Sequence, residues 1–163
     1  MRTKLFFVLA LLSVLVACNK SSTSKCNYAT PTTVAPAAEV ANLKAYLDAN
    51  ALPYVQHSSG IFFNVITPGT GATPGVCSDV TVKYRGRLTN GTGFDSSYVR
   101  SPGGTVFTLG GLIPGWQIGI PLIKKGGSIT LYIPPTLGYG AQANGPIPAN
   151  SNLVFNIELV DVQ

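Results

Sequence analysis

Side chains that carry out covalent or metal chemistry are scarce in this sequence. His57 is the only histidine, and Cys18, Cys26 and Cys77 are the only cysteines. A single histidine gives a Ser-His-Asp or Cys-His arrangement little to work with. No cysteine has a partner at the spacing of a zinc site. We therefore expect neither a metal site nor a cofactor.

The stretch 109–120, LGGLIPGWQIGI, contains the only tryptophan. Its two adjacent glycines break a strand, and Pro114 suits the first turn of a helix, where a missing N–H costs nothing. Ile113, Trp116 and Ile120 then share one helical face. We predict one short buried helix that a sheet must wrap. Taken alone, Trp116 on such a helix is more typical of a plain core.

Apolar residues at period two predict the strands of that sheet. The alternating positions are Ile61, Phe63 and Val65; Val80, Val82 and Tyr84; Ile129, Leu131 and Ile133; and Leu153, Phe155, Ile157 and Leu159. The 18 glycines, 12 prolines and 10% charged residues suit a turn-rich β protein. The net charge of +5 comes from scattered residues, which argues against nucleic-acid binding.

The N-terminus has the pattern of an export signal. Residues 1–17 combine a basic start with an apolar run that is too short to span a membrane. The run ends in Leu-Val-Ala followed by Cys18, which resembles a bacterial lipobox, in which the cysteine carries the lipid. An ordinary signal peptide with a chance cysteine is the alternative. We expect an exported lipoprotein, anchored by acyl chains at the periplasmic face or the cell surface of a Gram-negative bacterium.

Three segments follow the leader. Residues 18–35 are polar and without periodicity, which predicts a flexible tether. Residues 36–58 are predicted to be a helix and connector, with Val40, Leu43 and Leu47 on one face. Such a helix either packs on its own domain or dimerises, and we expect a monomer. Residues 59–163 form the predicted β-rich domain. Cys26 and Cys77 could pair in an oxidising compartment or be unrelated thiols, and both alternatives stay open.

Five motifs occur in an order that resembles the FKBP-type peptidyl-prolyl isomerase domain. They are VTVKYRGRL at 80–88, GFDSS at 93–97, LIPGW at 112–116, GYG at 138–140 and LVFNIEL at 153–159. The resemblance covers about residues 59–163. The leader and helix before it are similar to lipoprotein members of the family in Bacteroidetes-like bacteria. The implied fold is α+β, with a twisted antiparallel sheet half-wrapped around one short helix and preceded by an amphipathic helix.

The resemblance also implies a shallow apolar site for proline-containing polypeptides and, in the same pocket, macrolide inhibitors. Trp116 would be its floor, and Asp95 the polar group at its rim. The Ile113 N–H and the Tyr139 hydroxyl would bind a substrate carbonyl. The other implied residues are Tyr84, Phe94 and Phe155 as walls, Leu112 and Phe107 as substrate contacts, and Ile147 on the loop side. Taken singly, most of these are more typical of core or turn positions; their joint order favours the pocket.

The sequence departs from the family pattern at three places. Thr105 stands where many members have an aromatic side chain, which leaves one wall open or filled by a neighbour. The loop from Tyr139 to Ile147 lacks a histidine that some members carry. Lys83 replaces a common histidine, and its place in the alternation directs it to the other face of the strand.

The implied reaction needs none of the missing covalent chemistry. Resonance holds an X-Pro bond planar behind a barrier of about 18–20 kcal/mol. The twisted state has lost that resonance and is less dipolar, so an apolar pocket favours it. Two other functions remain open: a binding module for proline segments with little turnover, which the Thr105 departure leaves room for, and a structural surface lipoprotein.

Overall fold

The computed structural model describes residues 26–163, so the predicted leader and Cys18 lie outside the described residues. Its elements, in chain order, are helix α1 (Ala37–Ala49), strands β1 (Val55–Gln56), β2 (Phe62–Thr67), β3 (Asp79–Leu88), β4 (Gly93–Ser96) and β5 (Thr105–Thr108), helix α2 (Pro114–Gly119), and strands β6 (Ser128–Ile133) and β7 (Leu153–Val162). Short 3₁₀ turns occupy Leu109–Gly111, Ile120–Leu122 and Pro135–Leu137. None of the helices in this part of the chain combines the length and hydropathy needed to cross a bilayer.

All strands pair antiparallel in one sheet, ordered β1-β2-β6-β7-β3-β4, with β5 alongside the first half of β3. Strand β3 is central because it pairs with β7 on one side and with β4 and β5 on the other. Its predicted alternation is confirmed: Val80, Val82 and Tyr84 are buried, whereas their neighbours are not. The predicted α+β class and the antiparallel sheet are also confirmed.

Helix α2 lies close against strand β6. Pro114 begins the helix, as the sequence predicts. A Cβ at Gly115 would lie 2.6 Å from Cγ2 of Ile133, so only glycine allows this approach. Trp116 and Ile120 face the main core with Leu131 and Ile133 of the sheet. Gly115 therefore sets how closely helix α2, and with it Trp116, approaches the sheet.

Helix α1 covers the opposite face of the sheet. Leu43 and Leu47 are fully buried in a second core. Their partners on the sheet are Phe62, Tyr132 and Val154. Within the predicted helix and connector, 36–58, the helix itself covers Ala37–Ala49, with Pro36 and Asn50 as its flanking residues. Of the two open alternatives, the structure shows packing on its own domain.

Residues 26–35, the described part of the predicted tether, have no helix or strand but are attached to the domain at both ends. Cys26 and Cys77 form a disulfide, with their Cα atoms 5.6 Å apart. Ala35 is buried, and its N–H donates to the Ser59 carbonyl at 2.8 Å. Between them, the Tyr28 ring packs on Gly110. This segment is therefore held along the domain surface.

Candidate active site

A cavity of about 260 Å³ opens between helix α2 and the concave face of the sheet. Strands β3, β4, β5 and β7 each contribute to its wall. The residues that line it are Tyr84, Asp95, Phe107, Gly111, Leu112, Ile113, Trp116, Tyr139 and Phe155. Eight of these nine are residues that the sequence analysis singles out; only Gly111 is new.

Trp116 is the centre of an aromatic cluster around this cavity. Its side chain is only 4% exposed. The rings of Tyr84 and Phe155 each lie 5.1 Å from it, centroid to centroid, in edge-to-face contact. The Phe107 ring lies 6.2 Å away, also edge-to-face. Such pairs are each worth about 0.5–1.5 kcal/mol beyond burial, so the apolar surface is a rigid one.

Phe94 and Ile147 are not on the cavity surface, although the resemblance implies that they are. The Phe94 ring packs edge-on against Phe155, with the ring centroids 5.4 Å apart, and is not among the residues that line the cavity. Room for it comes from Gly86, where a Cβ would lie 2.5 Å from the Phe94 ring. Ile147 is buried in the main core. Phe94 therefore contacts the wall residue Phe155, and Ile147 belongs to the core.

The rim of the cavity carries a network of three polar side chains. The Tyr84 hydroxyl donates to Asp95 Oδ2 at 2.5 Å. Arg100 Nη2 donates to Asp95 Oδ1 at 2.7 Å and to the Tyr84 hydroxyl at 3.3 Å. Burial, followed by the bond to Asp95, raises the pKa of Tyr84 to about 12. Asp95 therefore fixes a protonated Tyr84.

Arg100 is a site residue that the sequence analysis missed. It counts there only among the scattered basic residues. Its position in FDSSYVR, five residues after Asp95, is the only signal available. The side chain is largely exposed and reaches Asp95 from the loop after β4. It thus anchors the rim without entering the cavity.

Besides the buried indole N–H of Trp116, two hydrogen-bond donors of the cavity lack partners among residues 26–163. One is the Ile113 N–H, at the residue that precedes α2, where helix geometry leaves the N–H unpaired. The other is the Tyr139 hydroxyl, on a side chain that is 37% exposed. Burial and then the nearby Asp95 raise the pKa of Tyr139, so this hydroxyl keeps its proton. Both are available to a carbonyl that enters the cavity.

The structure places the three positions at which the sequence departs from the family pattern. Thr105 does not line the cavity, but Phe107, two residues later on the same strand, does. The loop from Tyr139 to Ile147, which lacks the histidine, closes through a bridge between Asn144 and Ile147. Lys83 is half-buried on the opposite face of β3 from Tyr84 and pairs in register with Glu158 of β7. On this strand, the aromatic side chain at the cavity is therefore that of Phe107.

Chemically, the cavity combines an apolar floor with a few fixed donors. A carbonyl can accept from Ile113 or Tyr139 while the adjacent ring of a bound residue lies on Trp116. The arrangement places no nucleophile against an acid–base pair within the cavity lining. It suits the binding of a neutral amide and a change of its geometry rather than its cleavage.

Comparison with known proteins gives one family. Residues 71–160 match the family model described as FKBP-type peptidyl-prolyl cis-trans isomerase. FkpA of Escherichia coli K12 is 46% identical over 106 residues, which are 65% of this chain and 39% of that protein. Mip of Coxiella burnetii is 42% identical over 123 residues, 74% of this chain and 53% of that protein. The chain thus spans about two-fifths of the length of its FkpA relatives.

Solved structures agree with this comparison. The crystal structure of FkpA from Escherichia coli superposes with a TM-score of 0.69 and 42% identity, over 78% of this chain and 60% of that one. A peptidyl-prolyl isomerase from Pseudomonas syringae superposes with a TM-score of 0.66 and 33% identity, over 80% of this chain and 98% of that one. The family match covers more than half of the residues. The chain therefore belongs to the FKBP-type peptidyl-prolyl cis-trans isomerase family.

Proposed function

We propose that this chain is a peptidyl-prolyl cis-trans isomerase that accelerates rotation of X-Pro bonds in exported polypeptides. The observation that carries the proposal is the aromatic cavity of about 260 Å³ with Trp116 as its floor and two unpartnered donors at its edge. Slow X-Pro isomerisation limits folding in many proteins, so a catalyst outside the cytoplasm has substrates there.

Catalysis in this proposal comes from solvation and positioning. The planar amide is dipolar and well solvated by water, whereas the twisted amide has lost its resonance. Transfer into an apolar cavity therefore costs the planar form more than the twisted form. Edge-to-face contacts hold Tyr84, Phe155 and Trp116 rigid, so the apolar surface exists before the substrate arrives. Interactions that favour only the twisted form raise the turnover rate.

The donors have separate roles. The Ile113 N–H binds a carbonyl next to the prolyl residue and fixes the backbone on one side. The Tyr139 hydroxyl, at the loop side of the cavity, binds a second carbonyl and holds the peptide in a turn. Asp95 takes no proton from the substrate; it orients the Tyr84 hydroxyl and is itself held by Arg100. All roles require neutral tyrosines, which the raised pKa of Tyr84, about 12, maintains at physiological pH.

The N-terminal assignments are part of the same proposal. Residues 1–17 are a signal peptide, and Cys18 carries the lipid anchor. The Cys26–Cys77 disulfide leaves only seven residues, and therefore eight Cα–Cα steps, between the lipidated cysteine and the domain. A fully extended chain of that length spans at most about 28 Å, so the domain works close to the membrane surface. Mass spectrometry of protein extracted from membranes, before and after lipase treatment, tests the acylation of Cys18.

The monomeric state is likewise proposed. The apolar face of helix α1, with Leu43 and Leu47, is buried against its own sheet. Val40 of the same face is partly buried, so this face is already occupied by the chain's own sheet. Sedimentation of the full chain at micromolar concentration tests this, and a concentration-dependent dimer would contradict it.

Exchange NMR on short X-Pro peptides tests the enzymatic assignment. The full chain should produce cis–trans exchange cross-peaks at catalytic concentrations, across a series of residues before proline. Trp116→Ala and Tyr139→Ala should lose most of the acceleration, whereas Lys83→Ala, on the opposite face of β3, should keep it. Equal rates in all three variants would contradict the pocket assignment.

A second result would point to a different function. Binding of proline peptides, displaced by a macrolide, without measurable exchange would indicate a binding module that uses the same cavity. Because Thr105 lies outside the cavity lining, we expect turnover rather than binding alone.

A further inference from the structure

The 3₁₀ turn Pro135–Leu137, which leads into Tyr139, begins without a cap of its own. The first N–H groups of any helical turn lack partners within it. Pro134 precedes the turn in an extended conformation and provides no side-chain bond. Pro135 has no N–H, so Thr136 has the first N–H that needs an acceptor. The turn therefore depends on an acceptor from elsewhere in the chain.

Glu39 of helix α1 is that acceptor. Its Oε2 accepts from the Thr136 N–H at 2.9 Å, and its Oε1 accepts from the Thr136 hydroxyl at 2.7 Å. Both residues are partly buried, and they are 97 positions apart in sequence. Hydrogen bonds to an ionised carboxylate are roughly twice as strong as neutral ones. Glu39 thus caps the turn from the opposite side of the sheet.

The hydrogen bonds of the turn extend this anchor to Tyr139. The Pro135 carbonyl accepts from the N–H groups of both Gly138 and Gly140, each at 2.9 Å. Tyr139 is therefore held between two residues that are bonded to one carbonyl, three residues after Thr136, which Glu39 caps. The position of the Tyr139 hydroxyl at the cavity follows from the position of this turn.

We propose that Glu39 is a positioning residue that places the Tyr139 hydroxyl for the substrate carbonyl. Glu39 lies outside residues 71–160, which match the family model, so this support is an addition from the N-terminal helix. The inference rests on the proposed function of the cavity. It makes helix α1 part of the catalytic apparatus and not only a cover for the sheet.

Paired substitutions in the full chain separate a role of Glu39 in positioning Tyr139 from a merely structural role of helix α1. Glu39→Ala removes both bonds and should lower kcat/KM for X-Pro peptides by about threefold to tenfold. Glu39→Gln has an oxygen and an amide that can satisfy the same N–H and hydroxyl, and it should stay within about twofold of wild type. Because it also lacks the charge, it controls for any effect of the carboxylate on helix α1. Lys44→Ala, exposed on the same helix, should change nothing.

The decisive arm combines Glu39→Ala with Tyr139→Phe. If Glu39 acts through the Tyr139 hydroxyl, the loss caused by Glu39→Ala should disappear once that hydroxyl is absent. An equal loss in both backgrounds, or no loss in either, would overturn the inference. A merely structural role predicts the same fractional loss in both.

Hydrogen exchange of backbone amides tests the positioning role of Glu39 without any measurement of activity. Glu39→Ala should speed hydrogen exchange of the Thr136 amide and shift the NMR signals of Tyr139 and Gly140, and Glu39→Gln should reverse both effects. A wild-type chain without turnover would refute the proposed function, while these signals would still decide whether Glu39 holds the turn. Unchanged signals in Glu39→Ala would refute the positioning role even in an active enzyme.

Discussion

Shortening Leu47 to alanine tests whether helix α1 folds as one unit with the sheet. Leu47 is fully buried against Phe62, Tyr132 and Val154 on the face opposite the cavity. A fully buried Leu→Ala change costs about 3 kcal/mol, from lost burial and the cavity left behind. With a urea slope of about 1.5 kcal/mol per molar for a domain of this size, the midpoint should fall by about 2 M.

Trp116 provides the measurement, because it is the only tryptophan and lies 4% exposed in the other core. Its fluorescence should report the same lowered midpoint as circular dichroism. Lys44→Ala, exposed on the same helix and paired with Asp48, is the matched control and should leave the midpoint unchanged. A Leu47→Ala midpoint that equals wild type would refute the docking of α1. If the urea midpoint from tryptophan fluorescence is unchanged while the circular dichroism of the helices is lost at lower urea, α1 unfolds as a separate unit.

Three further changes have defined outcomes. The pKa of Tyr84 is about 12 in the folded chain against about 10 in the unfolded chain. Its contribution to the free energy of unfolding is therefore present below pH 10 and lost between pH 10 and 12. Tyr84→Phe should remove about 2 kcal/mol of this alkaline fall in the free energy of unfolding, as measured by urea titration at each pH. Replacing Cys26 and Cys77 by serine opens a link between positions 51 residues apart and should lower the unfolding free energy by up to about 4 kcal/mol, while alkylation of the wild type should label neither thiol. Gly115→Ala places a methyl 2.6 Å from Ile133 and should lower the melting temperature despite the better helix propensity of alanine, at about 1–3 kcal/mol.

Strands β2, β3, β6 and β7 and helix α2 were predictable because each has a local periodic signal. Alternation alone identifies the buried face of β3, with Tyr84 on it, and the proline at 114 marks the start of α2. Strands β1 and β4 are two and four residues long, too short for any periodicity. They exist because β2 and β3 offer them an edge to pair with.

Long-range pairing explains what the sequence left open. The period of Leu43 and Leu47 predicts a helix but does not say which surface it covers. Cys26 and Cys77 carry no sign of proximity in sequence, and the structure brings their Cα atoms to 5.6 Å. The contact of Glu39 with Thr136 spans 97 positions and has no local pattern at all.

Most of the residues that line the cavity belong to the motifs singled out in the sequence, whereas the packing of Phe94 and the contact of Arg100 have no signal there. Phe94 packs against Phe155, and Gly86 makes room for its ring there, which a one-dimensional pattern cannot indicate. The sequence does not identify Arg100, because an arginine in a loop is usually a solvated surface residue. Only the structure shows that it donates a hydrogen bond to Asp95. The positions of Phe94 on β4 and of Arg100 in the loop after it depend on how this segment packs against the rest of the sheet.

The pH dependence of kcat/KM for one X-Pro peptide tests the central claim most directly. Exchange NMR with the full chain should show clear acceleration that varies less than about twofold between pH 6 and 9. The reason is that Tyr84, with a pKa of about 12, and Tyr139, with a raised pKa, stay protonated throughout this range. A bell-shaped profile would show that a titrating group takes part in turnover, and no acceleration at any pH would remove the isomerase assignment. Either result would contradict rotation of the prolyl bond by an apolar cavity with fixed neutral donors.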